Sequence, residues 1–168
     1  MDASVVVREA REGDARPVAE VHVASWRAAY RGLLPDELLA SLSVEERTER
    51  WQEWLRGGVG MIVLERDEAV MGFAAFGPAR DGDADVGEVY AIYLDPREWG
   101  RGSGRALMDA AVARLRESGF DEAVLWVLET NERARRFYAA GGWRTDGATK
   151  TDIRRGFELP EVRYRLEL

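Results

Sequence analysis

The sequence is poor in residues on which several kinds of site depend: it has no cysteine, one histidine and one lysine. Without cysteine there is no disulfide, no thiolate metal site and no cysteine nucleophile. A serine-histidine triad would have to use His22, and a metal site with several histidine ligands is excluded, so we expect no metal.

Long apolar runs are also missing, which argues against a membrane-spanning helix. Residues 1–10 lack the hydrophobic core of a signal peptide, so we expect a cytoplasmic protein without a membrane partner. The net charge of −7 argues against nonspecific nucleic-acid binding and mildly favours a cationic acceptor, although solubility alone also explains it.

What the chain does contain is enough apolar material for one domain. Its 168 residues are 46% apolar and 33% charged, a composition typical of a soluble globular protein. Neither a repeat nor a linker interrupts them, so residues 1–168 are predicted to form a single domain.

One stretch, residues 87–104, combines a strand with a glycine-rich loop. Val89–Leu94 is apolar almost without interruption, as expected of a strand covered on both faces, and Asp95-Pro96 ends it. The loop that follows alternates polar residues with three glycines, Gly100, Gly102 and Gly104. Glycines let backbone N–H groups approach a ligand, and the predicted helix Arg105–Ser118 adds free N–H groups and a positive dipole end. The stretch therefore predicts a site for an oxyanion such as phosphate.

Two familiar phosphate loops do not fit. A Walker loop needs a lysine directly after its last glycine, whereas Lys150 lies far away. A dinucleotide fingerprint needs glycine or alanine where Arg105 or Leu107 stands, depending on the first glycine counted. A tight turn without a ligand stays open as an alternative, because glycines commonly serve turns.

The loop resembles the Q/R-x-x-G-x-G/A motif of the GNAT superfamily of acyl-CoA-dependent N-acetyltransferases, with Trp99 at the Gln/Arg position. A second stretch, Asn131–Trp143, closely resembles the family's N-x-x-A-x-x-x-Y-x-x-x-G-F pattern, with tryptophan in place of the last phenylalanine. The two stretches stand in the family's order and spacing, and Ser25–Pro35 matches a phrase common in one broad subgroup. The resemblance extends, more weakly, over almost the whole chain.

This resemblance implies an α/β (α+β) fold with a central twisted sheet of seven strands. The sheet would be mixed but mostly antiparallel, flanked by helices, and splayed between the fourth and fifth strands. Periodicity and turn residues predict these elements in order: strand Ser4–Ala10, a helix from Asp14 to Tyr30, helix Asp36–Ser41, a helix from Ser43 to Leu55, strands Met61–Arg66, Ala69–Gly77 and Val89–Leu94, helix Arg105–Ser118, strand Ala123–Leu128, a helix from Asn131 to Ala140, and strands Trp143–Thr151 and Val162–Leu168 around a loop at Arg154–Pro160.

The resemblance also implies acetyl-CoA as co-substrate. The glycine-rich loop would bind the pyrophosphate through backbone amides, and Asn131 would contact the CoA arm. Backbone groups at the end of the preceding strand would hold the pantetheine arm like an added strand and polarise the thioester carbonyl. The implied cofactor-binding residues are Ile92, Tyr93, Leu94, Gly100, Arg101, Gly102, Ser103, Gly104, Arg105 and Asn131.

Two residues take catalytic roles by the same resemblance. Tyr138 stands where the family commonly places its general acid, and a phenol with a pKa of about 10 is still protonated at neutral pH. Glu88 falls where the histone-acetyltransferase branch carries its base; a rim carboxylate without a role is an equal alternative. The base of the branch that acetylates ribosomal proteins corresponds to Trp126, so that mechanism does not transfer.

The first helix usually forms one wall of the acceptor pocket in the family. Trp26, Arg27 and Tyr30 are therefore the implied substrate-binding residues, with core packing as the alternative for helical aromatics. His22, one turn earlier, is expected to be packed or solvated rather than catalytic.

The predicted function is transfer of an acetyl group from acetyl-CoA to a primary amine of a small molecule or a peptide N-terminus, by direct attack in a ternary complex. Two alternatives stay open: a non-catalytic acyl-CoA-binding sensor on the same fold, and a nucleotide-dependent oxidoreductase that uses the glycine loop. Dimers are common in the family, so a homodimer is compatible with the resemblance.

Overall fold

A seven-stranded sheet with helices on both faces makes up the structure, a computed structural model that describes residues 4–83 and 85–168. The strands are β1 (Val5–Glu9), β2 (Gly60–Arg66), β3 (Ala69–Pro78), β4 (Gly87–Leu94), β5 (Glu122–Leu128), β6 (Arg144–Arg154) and β7 (Phe157–Glu167). The helices are α1 (Ala15–Ala29), α2 (Asp36–Ala40), α3 (Val44–Arg56), α4 (Ser103–Glu117) and α5 (Glu132–Ala140). None of the described helices is long and apolar enough to cross a membrane.

The strands lie in the order β1-β2-β3-β4-β5-β7-β6, and only the contact between β4 and β5 is parallel. These two strands pair at two positions, Gly87 with Ala123 and Glu88 with Val124, and then separate. The prediction of a mixed, mostly antiparallel sheet splayed between its fourth and fifth strands is confirmed.

A bulge in β4 lies next to the point of separation. The ladder with β3 pairs Ala75 with Ala91 and then Phe76 with Val89, so Tyr90 is the additional residue in β4. A bulge bends its strand and increases the local twist. We attribute to this bend the divergence of the outer half of β4 from β5.

Alternation along the central strands explains why both faces of the sheet are covered. Met61 and Val63 of β2 pack in the cluster that includes α1 and α3, whereas Ile62 and Leu64 pack with α4. Successive strand side chains point to opposite faces, and all four of these are at most 4% exposed. The middle of the sheet is therefore a rigid support for the loops that follow β4 and β5.

The hairpin of β6 and β7 differs from the sequence prediction. We predicted a loop at Arg154–Pro160, but the two strands continue to a turn at Arg155 and Gly156, so that prediction is wrong. Both turn residues have a positive φ, 49° and 84°, as tight hairpin turns require. Arginine is an unusual residue for this conformation, so a tight turn is not predicted from the sequence at this position. The longer hairpin brings Arg155 to 3.2 Å from Glu46 of α3.

A buried ion pair anchors the glycine-rich loop to the sheet. Glu98, only 1% exposed, accepts hydrogen bonds at 2.8–2.9 Å from the guanidinium of Arg66 on β2. The same carboxylate accepts a hydrogen bond at 2.9 Å from the hydroxyl of Ser103, the first residue of α4. The bonds from Arg66 are the main reason why the pKa of Glu98 lies below its usual value.

We predict that Glu98→Gln lowers the free energy of unfolding by about 3 kcal/mol, because it breaks a buried ion pair. The folded-state pKa of Glu98 is depressed. Its contribution is therefore present above the unfolded pKa and is lost as the pH falls through the folded pKa. Urea unfolding of wild type and variant at neutral and acidic pH measures both effects.

Ser103→Ala is the matched control, because it removes one hydrogen bond and leaves the ion pair, at a cost of about 1 kcal/mol. Equal stability of wild type and Glu98→Gln at neutral pH would show that the ion pair does not anchor the loop.

Candidate active site

The separation of β4 and β5 leaves a cleft of about 780 Å³. Its walls come from the two parted strands, from α1 and α5, from the glycine-rich loop, and from β6 and β7. The predicted site residues that line it are Trp26, Tyr30, Ile92, Tyr93, Leu94, Gly100, Gly102, Gly104, Arg105, Asn131 and Tyr138. The predicted site residues that do not line it are Arg27, Glu88, Arg101 and Ser103.

The edge of β4 that faces the cleft is open. After Glu88, β4 pairs with β3 alone in the part of the chain that the structure describes, so one edge of the segment 92–94 has no strand beside it. The Leu94 carbonyl accepts a hydrogen bond at 3.2 Å from the Trp99 indole. Backbone polar groups require partners, and an extended ligand can provide them by lying along the edge as an added strand.

Gly100 and Gly102 give the glycine-rich loop its shape. Their φ angles of 77° and 81° lie in a region that side chains rarely adopt, and a Cβ on either would meet no atom within 4 Å. Gly102 is the N-cap of α4, so the free N–H groups of that helix begin at the wall of the cleft. The Ser103 hydroxyl is bound to Glu98, so Ser103 can offer only its backbone here.

A guanidinium from another helix stands beside the position where the sequence motif lacks one. Trp99 occupies the usual Gln/Arg position, and the guanidinium of Arg133 on α5 lies 3.6 Å from the centre of its ring. Both residues line the cleft, and burial lowers the pKa of Arg133 from its ordinary value. The stacking holds a cation over an aromatic face, so α5 places a guanidinium beside the position where the loop has Trp99 in place of Gln or Arg.

Three tyrosines meet within the cleft: Tyr30 after α1, Tyr93 of β4 and Tyr138 of α5. Burial, and next the neighbouring Tyr93, raise the pKa of Tyr138 well above its usual value. Burial likewise raises the pKa of Tyr30 and that of Tyr93. Tyr138 is therefore protonated at neutral pH and can donate.

Asn131 fixes the start of α5. It is 7% exposed, and its side chain accepts a hydrogen bond at 3.2 Å from the N–H of Ala134. Tyr138 lies two helical turns further on, on the same face. The cap therefore helps to set where the tyrosine hydroxyl points.

Glu88, which the resemblance implies as a base and which we expected at least at the rim, does not line the cleft. It is 1% exposed and accepts hydrogen bonds from the Arg80 backbone N–H at 2.9 Å and from the Arg80 guanidinium at 2.7 Å. It stands where β4 and β5 still pair, and the Arg80 side chain lines the cleft in its place. The expected placement is therefore wrong, and the role of Glu88 as a base stays a prediction.

Among the described residues the carboxylates that line the cleft are those of Asp81, Asp152 and Glu161, and sequence analysis did not single out Glu161 of β7 as a site residue. Burial raises its pKa and Asp152 adds to this, whereas the charges of Lys150, Arg154 and Arg80 oppose it. Backbone pairing of β7 with both β5 and β6 sets its position. No local motif marks such a residue, because its position depends on the register of three paired strands.

Trp126 of β5 belongs to the same wall as Glu161. Its indole N–H donates to the Asp81 carboxylate at 2.6 Å, and the Lys150 ammonium lies 4.3 Å from the centre of its ring. Lys150 and Asp81 are themselves 3.8 Å apart. This end of the cleft therefore carries charges of both signs around an aromatic surface.

The first helix and the residue that follows it contribute two of the three predicted substrate-binding residues. Trp26 and Tyr30 line the cleft while being largely buried. Arg27 instead donates to the carbonyls of Leu39 and Leu42, at 3.4 and 3.1 Å, and ties α1 to the region of α2. Its expected contact with the substrate is replaced by this structural role.

His22 is packed, as expected. It is 5% exposed, accepts a hydrogen bond at 3.3 Å from the Trp51 indole, and stacks on Tyr93 with ring centres 4.9 Å apart. Burial lowers its pKa well below the usual value, so it is neutral at pH 7. Within residues 4–83 and 85–168, His, Asp and Glu side chains form no group of three or more that could hold a metal ion.

A model of the Acetyltransferase (GNAT) family matches residues 15–143, more than half of the chain. The chain belongs to the GNAT acetyltransferase family. The matched region includes the splayed strands, the glycine-rich loop and all of α5, so acyl transfer is the reaction class of the fold that builds this cleft.

GNAT relatives cover most of the chain. It is 38% identical over 128 residues to the uncharacterized N-acetyltransferase YuaI of Bacillus subtilis, and the matched region covers 76% of this chain and 73% of that protein. It is 31% identical to the probable N-acetyltransferase Rv2775 of Mycobacterium tuberculosis, over 98% of this chain and 94% of that protein. A mycothiol acetyltransferase of Thermobispora bispora is 37% identical over 63% of this chain, but only 38% of that longer protein is covered.

Solved GNAT structures share the fold over nearly the whole chain. The PaiA N-acetyltransferase of Thermoplasma acidophilum, in complex with coenzyme A, matches with a TM-score of 0.74 at 19% identity, over 98% of this chain and 99% of that one. YncA of Salmonella typhimurium, with its cofactor acetyl-CoA, matches with a TM-score of 0.70 at 20% identity, over 97% of this chain and 93% of that one. At these identities the likeness establishes the fold.

Proposed function

We propose that the protein transfers an acetyl group from acetyl-CoA to a primary amine, of a small molecule or a peptide N-terminus, by direct attack in a ternary complex. One observation carries the proposal: the open edge of β4, the glycine-rich loop and the protonated Tyr138 all belong to one cleft. That arrangement offers a place for an extended arm, a place for phosphates and a proton donor.

The residues of the cleft fit acetyl-CoA. Backbone groups of Ile92–Leu94 would bind the pantetheine arm as an added strand, and amides around Gly102 would bind the pyrophosphate. Arg133 would add the guanidinium that the loop lacks at Trp99. Arg105, which lines the cleft with its guanidinium 5.8 Å from the Phe137 ring, is a second cation for the phosphates.

In the reaction the bound thioester supplies an activated acetyl group, and a C–N bond replaces its C–S bond. Tyr138 gives its proton to the departing sulfur, so that coenzyme A leaves as the thiol, and the tyrosinate regains a proton from solvent as the products leave the cleft. Because its pKa is raised, Tyr138 is protonated at neutral pH when the C–S bond breaks. Tyr138 is therefore the general acid of the proposal.

The amine must lose a proton before it can attack, and we assign that proton to Glu161. Glu161 lines the cleft and its pKa is raised, so it is a stronger base than an ordinary carboxylate. Glu88, the base predicted from the sequence, is held by hydrogen bonds from Arg80 and does not line the cleft. A rate experiment on both residues distinguishes the two assignments.

A non-catalytic acyl-CoA sensor is the second candidate, because the same open edge and loop would bind the ligand without turnover. Thiol release from acetyl-CoA over a panel of amines separates it from the enzyme. Binding of acetyl-CoA without release of thiol with any amine would favour the sensor.

We predict that acetyl-CoA stabilises the protein by about 2.7 kcal/mol at 100 times its dissociation constant. Gly102→Val should abolish this gain, because a branched side chain would occupy the position of the pyrophosphate. Thermal unfolding with and without millimolar acetyl-CoA measures the effect.

Gly58→Val is the matched control, since Gly58 has φ of 82° and equally open space, but lies outside the cleft. Both variants should lose about 1–2 kcal/mol of stability from the unfavourable φ. Only Gly102→Val should lose the response to acetyl-CoA; an intact response there would mean that the loop does not bind the pyrophosphate.

We predict that Tyr138→Phe lowers kcat by roughly 10²–10⁴-fold, the usual contribution of a general acid. The ring and its packing remain, so stability and acetyl-CoA affinity should stay close to those of wild type. Steady-state kinetics and thermal unfolding measure the two. Tyr93→Phe removes the neighbouring hydroxyl, and a larger loss in that variant than in Tyr138→Phe would transfer the role of the acid to Tyr93.

We predict that Glu161→Gln lowers kcat/KM by about 10²-fold. In wild type kcat/KM should rise with pH in two steps, one as Glu161 ionises and one as the amine itself loses its proton. The variant should lose the step that belongs to Glu161 and keep the step that belongs to the amine. Glu158→Gln, an exposed position on the same strand outside the cleft, is the control. A normal profile in Glu161→Gln combined with a slow Glu88→Gln would restore Glu88 as the base.

A further inference from the structure

A second cavity of about 380 Å³ lies next to the cleft, between α3 and the end of β6. Trp26, Asp152 and Arg154 line both spaces and form the border between them. The second cavity is lined by four arginines, and we refer to it as the arginine pocket: Arg47, Arg50, Arg154 and Arg155.

The carboxylates of the arginine pocket are already paired. Those that line it among the described residues are Glu46 and Asp152. Asp152 lies 2.8 Å from Arg154, and Glu46 lies 3.2 Å from Arg155. Two arginines therefore face two carboxylates, and the other two add uncompensated positive charge.

Those other two are Arg47 and Arg50 of α3, for which we find no ion pair within 4 Å in residues 4–83 and 85–168. Arg47 is half-buried, and its guanidinium lies 6.0 Å from the centre of the Trp26 ring, on which Arg154 lies at 4.9 Å. Burial, followed by the charges of Arg154 and Arg50, lowers the pKa of Arg47 to about 10. His22 adds no charge, because it is neutral.

Cations held close together in a partly buried space repel one another unless an anion joins them. Guanidinium groups are the side chains best suited to such an anion, because their planar forks match the oxygens of a carboxylate or a phosphate. The arginine pocket therefore has the chemistry of an oxyanion site whose ligand comes from outside the chain.

We propose that the arginine pocket binds a carboxylate or phosphate of the acceptor while the acceptor's amine enters the cleft. The inference rests on the proposed function, since it takes an amine as the acceptor. The cleft and the arginine pocket share a border, so a small molecule that lies beside Trp26 and Arg154 reaches both spaces. The charges are arranged to match, with Glu161 on the side of the amine and Arg47 on the side of the anion. The acceptor is then a small zwitterion, such as an amino acid.

Thiol release from saturating acetyl-CoA tests the preference with matched acceptors. The pairs are L-amino acids with their carboxamides, for the carboxylate, and phosphoethanolamine with ethanolamine, for the phosphate. The anionic member of at least one pair should have a kcat/KM about ten- to a hundredfold higher, the usual effect of charge-assisted hydrogen bonds. Arg47→Met, which keeps an unbranched apolar stem but removes the guanidinium, should remove this preference through a raised KM.

Arg56→Met is the matched control, because Arg56 lies on the same helix but outside both spaces. It should keep the preference of wild type. Equal turnover of the anionic and neutral members, or an unchanged preference in Arg47→Met, overturns the inference and leaves the proposed function standing.

A binding measurement decides the case in which no acceptor is turned over. Titration with acetate and with inorganic phosphate is followed by NMR at the side-chain Nε–H groups of arginine. The signals of Arg47 and Arg154 should shift and saturate at millimolar anion, while that of Arg56 should not. The anion with the lower saturating concentration identifies the group; no saturable shift at Arg47 or Arg154 overturns the inference.

Discussion

The short parallel pairing of β4 and β5 is the constraint on which the rest of the structure depends. If the ladder continued beyond Glu88, the edge of β4 would be occupied and the cleft would be closed. The bulge at Tyr90 prevents this by turning β4 away from its neighbour. The open edge, the loop that follows it and the space for Tyr138 are thus consequences of one interruption in the middle of the sheet.

The charged residues discussed above are of two kinds, those in buried ion pairs and those that line a cavity. The carboxylates of Glu98 and Glu88 are buried, and each forms an ion pair with an arginine, Arg66 and Arg80 respectively. Such pairs position the loop and the start of β4, and hydrogen bonds occupy their oxygens. Glu161 and Arg47 are only partly buried and lie at cavity surfaces. Charged groups left in this condition are the ones available to a ligand, and the proposed function therefore assigns the base from the lining of the cleft rather than from motif position.

Local sequence signals predicted most of the helices and strands and the glycine-rich loop, whereas the arrangement of the sheet was implied by the family resemblance. Glycines with positive φ, an apolar strand and an asparagine cap each leave a mark within a few residues, so Gly102 and Asn131 could be predicted. Arg27 could not be separated from its neighbours on α1, because helical spacing does not say which side chain finds the carbonyls of another loop. Glu161 and Arg133 depend on strand register and on stacking between distant segments, which no single stretch encodes.

Helix α5 carries the cap at Asn131, the cation at Arg133 and the hydroxyl at Tyr138 on one rigid element. One residue added to or removed from that helix would rotate everything beyond it by about 100° and shift it by about 1.5 Å. Tyr138 would then leave the cleft while Asn131 kept its place. The segment can therefore accept changes of residue type between these positions in evolution, but not changes of length, and insertions in related chains should be confined to the loops that flank it.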